Sequence, residues 1–349
     1  MKINAAVLEE LGKPLLIKSI DTLPLIPGQV LIKVLFSGVC RSQLMEVNGK
    51  RGLDSWLPHL LGHEGSGIVQ AISQGVTKVK VGDEVILSWV KGDGMEAPGA
   101  RYKCGDQIIN SGCVTTFSNY SIISENRLVI KPKSLPFDIA VLYGCALPTG
   151  AGMVLNEIKP SVDTSIIVLG LGGIGLSALM ALKALNVKMI IAVDISDEKL
   201  ILAKELGATH TFNTMNDNIQ QDINKLTDGG ADRCIESAGH ATTIELGFSL
   251  IQKKHGRLLF ASHPPDGEMI KIAPHELISG KSIDGSWGGS TMPDKDIPIM
   301  YNLFHKSDAP LGSLLAKRYK LEEINEALAD LVAGRVFRPL IVMEHPVQN

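Results

Sequence analysis

The sequence lacks a basic block. Its 34 Lys and Arg are outnumbered by 37 Asp and Glu, for a net charge of −3, so it carries neither a nucleic-acid footprint nor a polybasic membrane contact. It also lacks any apolar run near the ~18 residues that span a bilayer. The opening stretch, MKINAAVLEELGKPLL, places acids within its first dozen positions and has no uninterrupted apolar core, so no secretory signal is expected. A cytoplasmic protein with small-molecule rather than nucleic-acid or membrane partners is the expectation. Cysteine is scarce. The five present (Cys40, Cys104, Cys113, Cys145, Cys234) are an odd number for a disulfide framework, and a chain with a large core needs no stapling. Their remaining roles are metal ligand, nucleophile or packing. There is no internal repeat and no low-complexity tract.

What is present reads as two domains, because 349 residues exceed one typical domain. Short apolar runs at 29–36, 67–71, 84–87, 121–123 and 128–130 are separated by Gly, Pro and polar clusters. They predict a β-barrel or sandwich. Residues 89–112 are Gly-rich without periodicity and read as one long loop. From residue 165 the pattern changes. Strands at 166–169, 188–193, 209–212, 233–236, 257–261 and 282–286 alternate with helices at 173–186, 197–206, 219–226 and 242–251. This predicts a six-stranded parallel sheet covered by helices on both faces. Two helices (297–304, 321–332) and a strand (339–343) close the chain.

The stretch SIIVLGLGGIGLSALMALKAL contains Gly170-x-Gly172-x-x-Gly175 between a strand and a helix. A lone motif of this kind is weak, but a strand before it, a helix after it, a second strand and then an acid form the context it requires. Gly170 permits the tight turn, Gly172 lets backbone approach a pyrophosphate, and Gly175 lets the helix pack close to the strand. The helix start offers unpaired N–H groups to phosphate. Asp194 lies nineteen residues past Gly175 and is followed by Ile195, Ser196, Asp197 and Glu198, with no Arg. A carboxylate there accepts from ribose hydroxyls and repels a 2′-phosphate, so NAD is expected over NADP.

SGVCRSQ (37–43) packs a thiol, a guanidinium and a hydroxyl into three consecutive positions. Cys40 is read either as an ordinary buried thiol or as a ligand. LGHEG brings His63 beside Glu64, and GCA brings Cys145. Two thiolates and an imidazole are a soft set suited to Zn²⁺, with a fourth position left open. The gaps between them are long and decide nothing by themselves.

SGVCRSQ, GHEGSGIV and GCALPTGAG, followed by VLGLGGIGL and IIAVD, stand in an order and at distances that resemble the zinc-dependent medium-chain alcohol dehydrogenases. The resemblance spans essentially the whole chain and includes VGDEVI, TTFSNYSI, Gly288-Gly289-Ser290 and LEEINEALADLVAGRVFRPLIV. It implies an α/β architecture: a GroES-like β-barrel catalytic domain (1–147 and 291–349) and a doubly wound Rossmann NAD-binding domain (148–290), with the site in the cleft between them. It implies one catalytic zinc on Cys40, His63 and Cys145, with Glu64 as the nearby acid and Ser42 as the hydroxyl that takes the alcohol proton. It also implies NAD contacts from Arg41, Thr149, Gly170, Gly172, Gly173, Ile174, Gly175, Asp194, Lys199 and Arg338, and a homodimer or homotetramer. The reaction implied is alcohol–carbonyl interconversion: zinc stabilises the alkoxide, and hydride passes to the nicotinamide. A metal-free reductase on the same scaffold and a non-catalytic NAD-binding relative are the alternatives. The Cys–His–Cys set and Ser42 argue against both.

Three departures from the resembled pattern stand out. The lobe that carries four structural-zinc cysteines in many members here holds only Cys104 and Cys113, and it is expected to be zinc-free. Gln43 stands where an acid usually supports the ligand shell. Met45 stands where some members extend the proton relay with a His. Trp89 and Trp56 are read equally as packing or as pocket wall. Cys234 is expected in the core and His59 in a turn. His240 is a further candidate for cofactor contact, and His275 is placed on a helix away from the site.

Overall fold

The computed structural model describes residues 1–215, 218–315 and 317–345. Its chain separates into two compact units. The first comprises Met1–Cys145, Met292–Pro298 and the segment from Leu311 onward, and the second comprises Ala146–Thr291 and Ile299–Pro310. The last four residues of the expected 291–349 segment lie outside the described residues. Among the described residues no single helix is long and apolar enough to cross a membrane.

Two sheets build the first unit. A closed barrel runs in the order Lys2–Leu8, Leu16–Thr22, Arg101–Cys104, Gln107–Asn110, His59–Leu60. The larger sheet runs Leu128–Ile130, Glu84–Leu87, Gly65–Ile72, Gln29–Gly38, Leu340–Val342, Arg318–Lys320, and Tyr120–Ser124 also pairs with Gln29–Gly38. Lys2–Leu8 serves two cores by alternation, as a period-two strand must. Ile3, Ala5 and Val7 join the cluster around Ile20, Tyr102 and Ile109, while Ala6 and Leu8 join the one around Ile32, Val69 and Leu87. Each large side chain buried this way contributes about 1.5–3 kcal/mol.

The strands expected at 84–87, 128–130 and 233–236 have those bounds; those at 29–36, 67–71, 121–123 and 166–169 run one or two residues further at one or both ends, those at 188–193 and 209–212 are shifted by one, and those at 257–261, 282–286 and 339–343 are shorter. The expected loop at 89–112 needs correcting, because it contains the hairpin Arg101–Cys104/Gln107–Asn110. Gly105 at φ 60 turns it, and Gly first in a two-residue connection matches the strand twist. Tyr102 and Ile109 fill the barrel from its two arms, and the Tyr102 hydroxyl accepts from Ile122 N–H at 2.8 Å. The signal was Gly-Asp between short apolar arms. The sequence reading also missed the helix Arg41–Val47, too short to show a helical period.

In the second unit six parallel strands lie in the order His210–Asn213, Met189–Asp194, Ser165–Leu169, Arg233–Glu236, Arg257–Phe260, Ser282–Gly285. This 3-2-1-4-5-6 order is that of dinucleotide-binding sheets. The central strands Ser165–Leu169 (SIIVL) and Met189–Asp194 (MIIAVD) are near-continuous apolar runs, as buried parallel strands are, whereas the edge strands His210–Asn213 and Ser282–Gly285 are not. Ile167, Ile191, Cys234 and Leu258 share one core with Phe248. Cys234 is core, as expected.

Candidate functional site

Three segments of the first unit deliver the cysteine–histidine cluster. Strand Gln29–Gly38 pairs with Gly65–Ile72 through a register shift between Val34 and Phe36. Such a bulge bends a strand end and re-aims the chain beyond it. Just past that strand end stands Cys40, with extended backbone at the N-cap of Arg41–Val47. His63 lies in the short link between His59–Leu60 and Gly65–Ile72, and Cys145 comes directly after the turn Val141–Gly144. One ligand atom from each of Cys40, His63 and Cys145 lies within 4.8 Å of the other two. His63 Nε2 is 3.3 Å from Cys145 Sγ, and Ser42 Oγ is 3.5 Å from His63 Nδ1. The Trp89 ring stands edge-on to His63, with centroids 6.5 Å apart. Trp56, by contrast, is largely exposed.

Glu64 is fully buried. Its backbone carbonyl accepts from Gly38 N–H and Ser37 Oγ. Its Oε1 accepts from Arg338 Nη1 at 2.6 Å, while its Oε2 has no hydrogen-bond partner among the described residues. A Cβ on Gly38 would stand 2.6 Å from Glu64 Oε1, so only glycine fits there. Arg338, expected among the NAD contacts, is 3% exposed and bound to Glu64. Arg41 is exposed.

The electrostatics of this cluster favour a cation. Hydrogen bonding from Cys145, with help from the charges of Arg338 and His63, holds the Cys40 thiol well below its usual range despite burial. The same hydrogen bond, together with burial, pushes Cys145 well above it. Burial pulls His63 down, but its contacts with Cys40 prevail and raise it. Burial raises Glu64 against the pull of Arg338. Soft donors converge beside a buried carboxylate, and this set suits Zn²⁺.

The glycine turn of the second unit lies between strand Ser165–Leu169 and helix Gly173–Ala184. Gly170 has φ 89, a conformation that favours glycine. A Cβ on Gly175 would meet Gly170 O at 1.9 Å, whereas among the described residues nothing lies within 4 Å of a Cβ on Gly172. Gly172 is the N-cap of helix Gly173–Ala184 and offers no side chain to its first N–H groups. Asp194 accepts from Leu171 N–H at 2.7 Å and from Ser196 N–H at 3.0 Å, so it ties the turn to the end of the second strand. Lys199 Nζ is 3.9 Å from Asp194 Oδ2. Ile174 is half-buried, and Thr149 is buried on helix Ala146–Gly152. His240 caps helix Ala241–Leu250.

Residues 26–133 match the family model for the alcohol dehydrogenase GroES-like domain, and residues 173–306 match that for zinc-binding dehydrogenases. The crystal structure of benzyl alcohol dehydrogenase from Acinetobacter calcoaceticus is similar at 30% identity and TM-score 0.87, over 99% of this chain and 100% of that one. The chain belongs to the zinc-type medium-chain alcohol dehydrogenase family. Two further members are similar in structure. An alcohol dehydrogenase zinc-binding domain protein from Burkholderia ambifaria shares 27% identity at TM-score 0.89, covering 99% of this chain and 100% of that one. The alcohol dehydrogenase of Aeropyrum pernix shares 25% at 0.82, covering 97% and 99%. Membership makes the chain an oxidoreductase of the alcohol–carbonyl class, and its two units are the GroES-like and Rossmann-type folds of that family.

One group in the site was only half legible. Gln43 is 1% exposed. Its Oε1 accepts from Cys40 N–H at 2.9 Å and its Nε2 donates to His63 Nδ1 at 2.5 Å. The cap-to-third-residue spacing from Cys40 to Gln43 is that of a capping box, a signal present in the sequence. Cys104 and Cys113 lie elsewhere, with their sulfurs 4.0 Å from Ser19 O and 3.5 Å from Ala97 O.

Proposed function

We propose that this chain oxidises an alcohol to its aldehyde or ketone, and catalyses the reverse, with one zinc per chain and NAD as hydride partner. One observation carries the reading: Cys40, His63 and Cys145, far apart in sequence, bring three ligand atoms within 4.8 Å of one another. These three would hold the metal. When bound, zinc supplies Lewis acidity at the substrate oxygen and the nicotinamide takes the hydride. Ser42, at the edge of the cluster, would relay the hydroxyl proton, taking it from the substrate while passing its own to the cofactor ribose or to water. Glu64, pinned by Arg338, balances charge behind the thiols. The N–H groups at the start of Gly173–Ala184 hold the pyrophosphate, and Asp194 selects NAD by accepting from the ribose hydroxyls. Each Asp194 oxygen already takes one backbone N–H, which leaves a second lone pair on each for the ribose.

Benzyl alcohol is the first substrate to try, then secondary alcohols, polyols and sugar derivatives. Mixing each with NAD⁺ and monitoring absorbance of the reduced nicotinamide tests the reading. Reduction that is abolished by chelation and restored by zinc is expected. Turnover unaffected by complete metal removal would contradict it. We further propose a homodimer or homotetramer, which light scattering of the purified protein distinguishes from a monomer.

A further inference from the structure

We propose that Gln43 is a positioning residue that ties two of the metal ligands to each other while opposing the histidine tautomer that metal binding needs. The inference rests on the zinc site of the proposed function. Gln43 is 1% exposed. Its amide spans from the backbone of Cys40 (N–H to Oε1, 2.9 Å) to the ring of His63 (Nε2 to Nδ1, 2.5 Å). One planar group therefore sets both the start of the helix that carries Cys40 and the rotation of the imidazole.

An amide has one accepting end and one donating end. Here the accepting end is taken by Cys40 N–H, so the donating end meets Nδ1. His63 Nδ1 must then offer its lone pair, which leaves the ring proton on Nε2. Nε2 is the atom facing Cys145 Sγ, at 3.3 Å, and so the atom a metal in this cluster would engage. A carboxylate of the same length accepts from both Cys40 N–H and an Nδ1–H, and it frees the Nε2 lone pair. The amide keeps the ring in place but withholds that second acceptor. Partners of ligating histidines tune metal affinity in this way.

The test is zinc affinity, measured by chelator competition on the purified full chain, for wild type, Gln43→Glu and Gln43→Met. Each protein is also loaded with Co²⁺ to record its thiolate-to-cobalt and d–d absorption. Gln43→Glu is expected to bind zinc about tenfold tighter than wild type, and Gln43→Met about 10–100-fold more weakly with shifted cobalt bands. Met keeps the length and apolar stem but no hydrogen bond. If it fails to fold, Gln43→Asn serves, since it is one methylene too short to span both groups. Zinc binding by wild type with equal affinity and equal cobalt spectra in the variants overturns the role of Gln43 and leaves the metal site standing. A wild type that binds no zinc overturns the metal reading itself.

Discussion

The cysteine–histidine cluster of the first unit and the glycine turn of the second are built by opposite means. The turn is local. Gly170, Gly172 and Gly175 lie within six residues, and the acid that braces them, Asp194, ends the neighbouring strand. The cluster is assembled. His63 and Cys145 are 82 positions apart, and Glu64 and Arg338 are 274 apart, so the whole β unit must fold before either pair exists. A local device depends on a few backbone conformations. An assembled one depends on every element that delivers a ligand.

The sharpest way to break this comparison is to damage each site and read the other. Cys40→Ser should remove bound zinc and lower kcat/KM by about three orders of magnitude, a barrier increase of about 4 kcal/mol. NAD binding, monitored by nucleotide fluorescence quenching, should stay within about twofold of wild type. Retained zinc and activity would exclude Cys40 from the mechanism. Gly175→Val should do the converse. Its Cβ lands 1.9 Å from Gly170 O, and overpacking of that kind costs about 1–3 kcal/mol. NAD affinity should fall by roughly ten- to a hundredfold, while zinc content is unchanged.

Asp194→Ala sharpens the local side of the comparison. The carboxylate holds two backbone N–H groups, so its loss should cost about 1–3 kcal/mol of stability, visible as a lower Tm. The same change should bring kcat/KM with NADP to within about tenfold of that with NAD, equivalent to about 1.4 kcal/mol. Unchanged selectivity would leave Asp194 a purely structural brace.

The difference between local and assembled also accounts for what could be read in advance. The parallel sheet was legible because each buried strand and its covering helix is one contiguous run, and the glycine turn was legible because its spacing is its geometry. The barrel was harder. Lys2–Leu8 carries Ala at two of its buried positions, and the hairpin at Arg101–Asn110 hides in a Gly-rich stretch. For the ligand set, spacing was silent, and only the resemblance of ordered motifs joined Cys40, His63 and Cys145. Gln43 was seen as a departure, but its two hydrogen bonds exist only once His63 has been brought beside the helix start.

The smallest effect expected concerns the C-terminal segment on the first unit. His345 donates from Nε2 to Val34 O at 2.7 Å and packs edge-on against Tyr120. Burial, with the Lys33 charge nearby, lowers its pKa, and its Nδ1 has no partner among the described residues. A histidine depressed in the folded state contributes stability that is present above its unfolded pKa of about 6.5 and lost as pH falls toward the folded value. Tm should therefore decline slightly more steeply below that point in wild type than in His345→Gln. Identical slopes would remove His345 from the pH response.

The central claim is that Cys40, His63 and Cys145 form one metal site. The most direct test is zinc content per chain, by elemental mass spectrometry on protein purified without chelators. The account predicts about one zinc per chain, falling to near zero in Cys40→Ser. A wild type that is folded, binds NAD and holds essentially no zinc would contradict it. A value near two would place a second metal elsewhere, against the expectation for the Cys104 and Cys113 region.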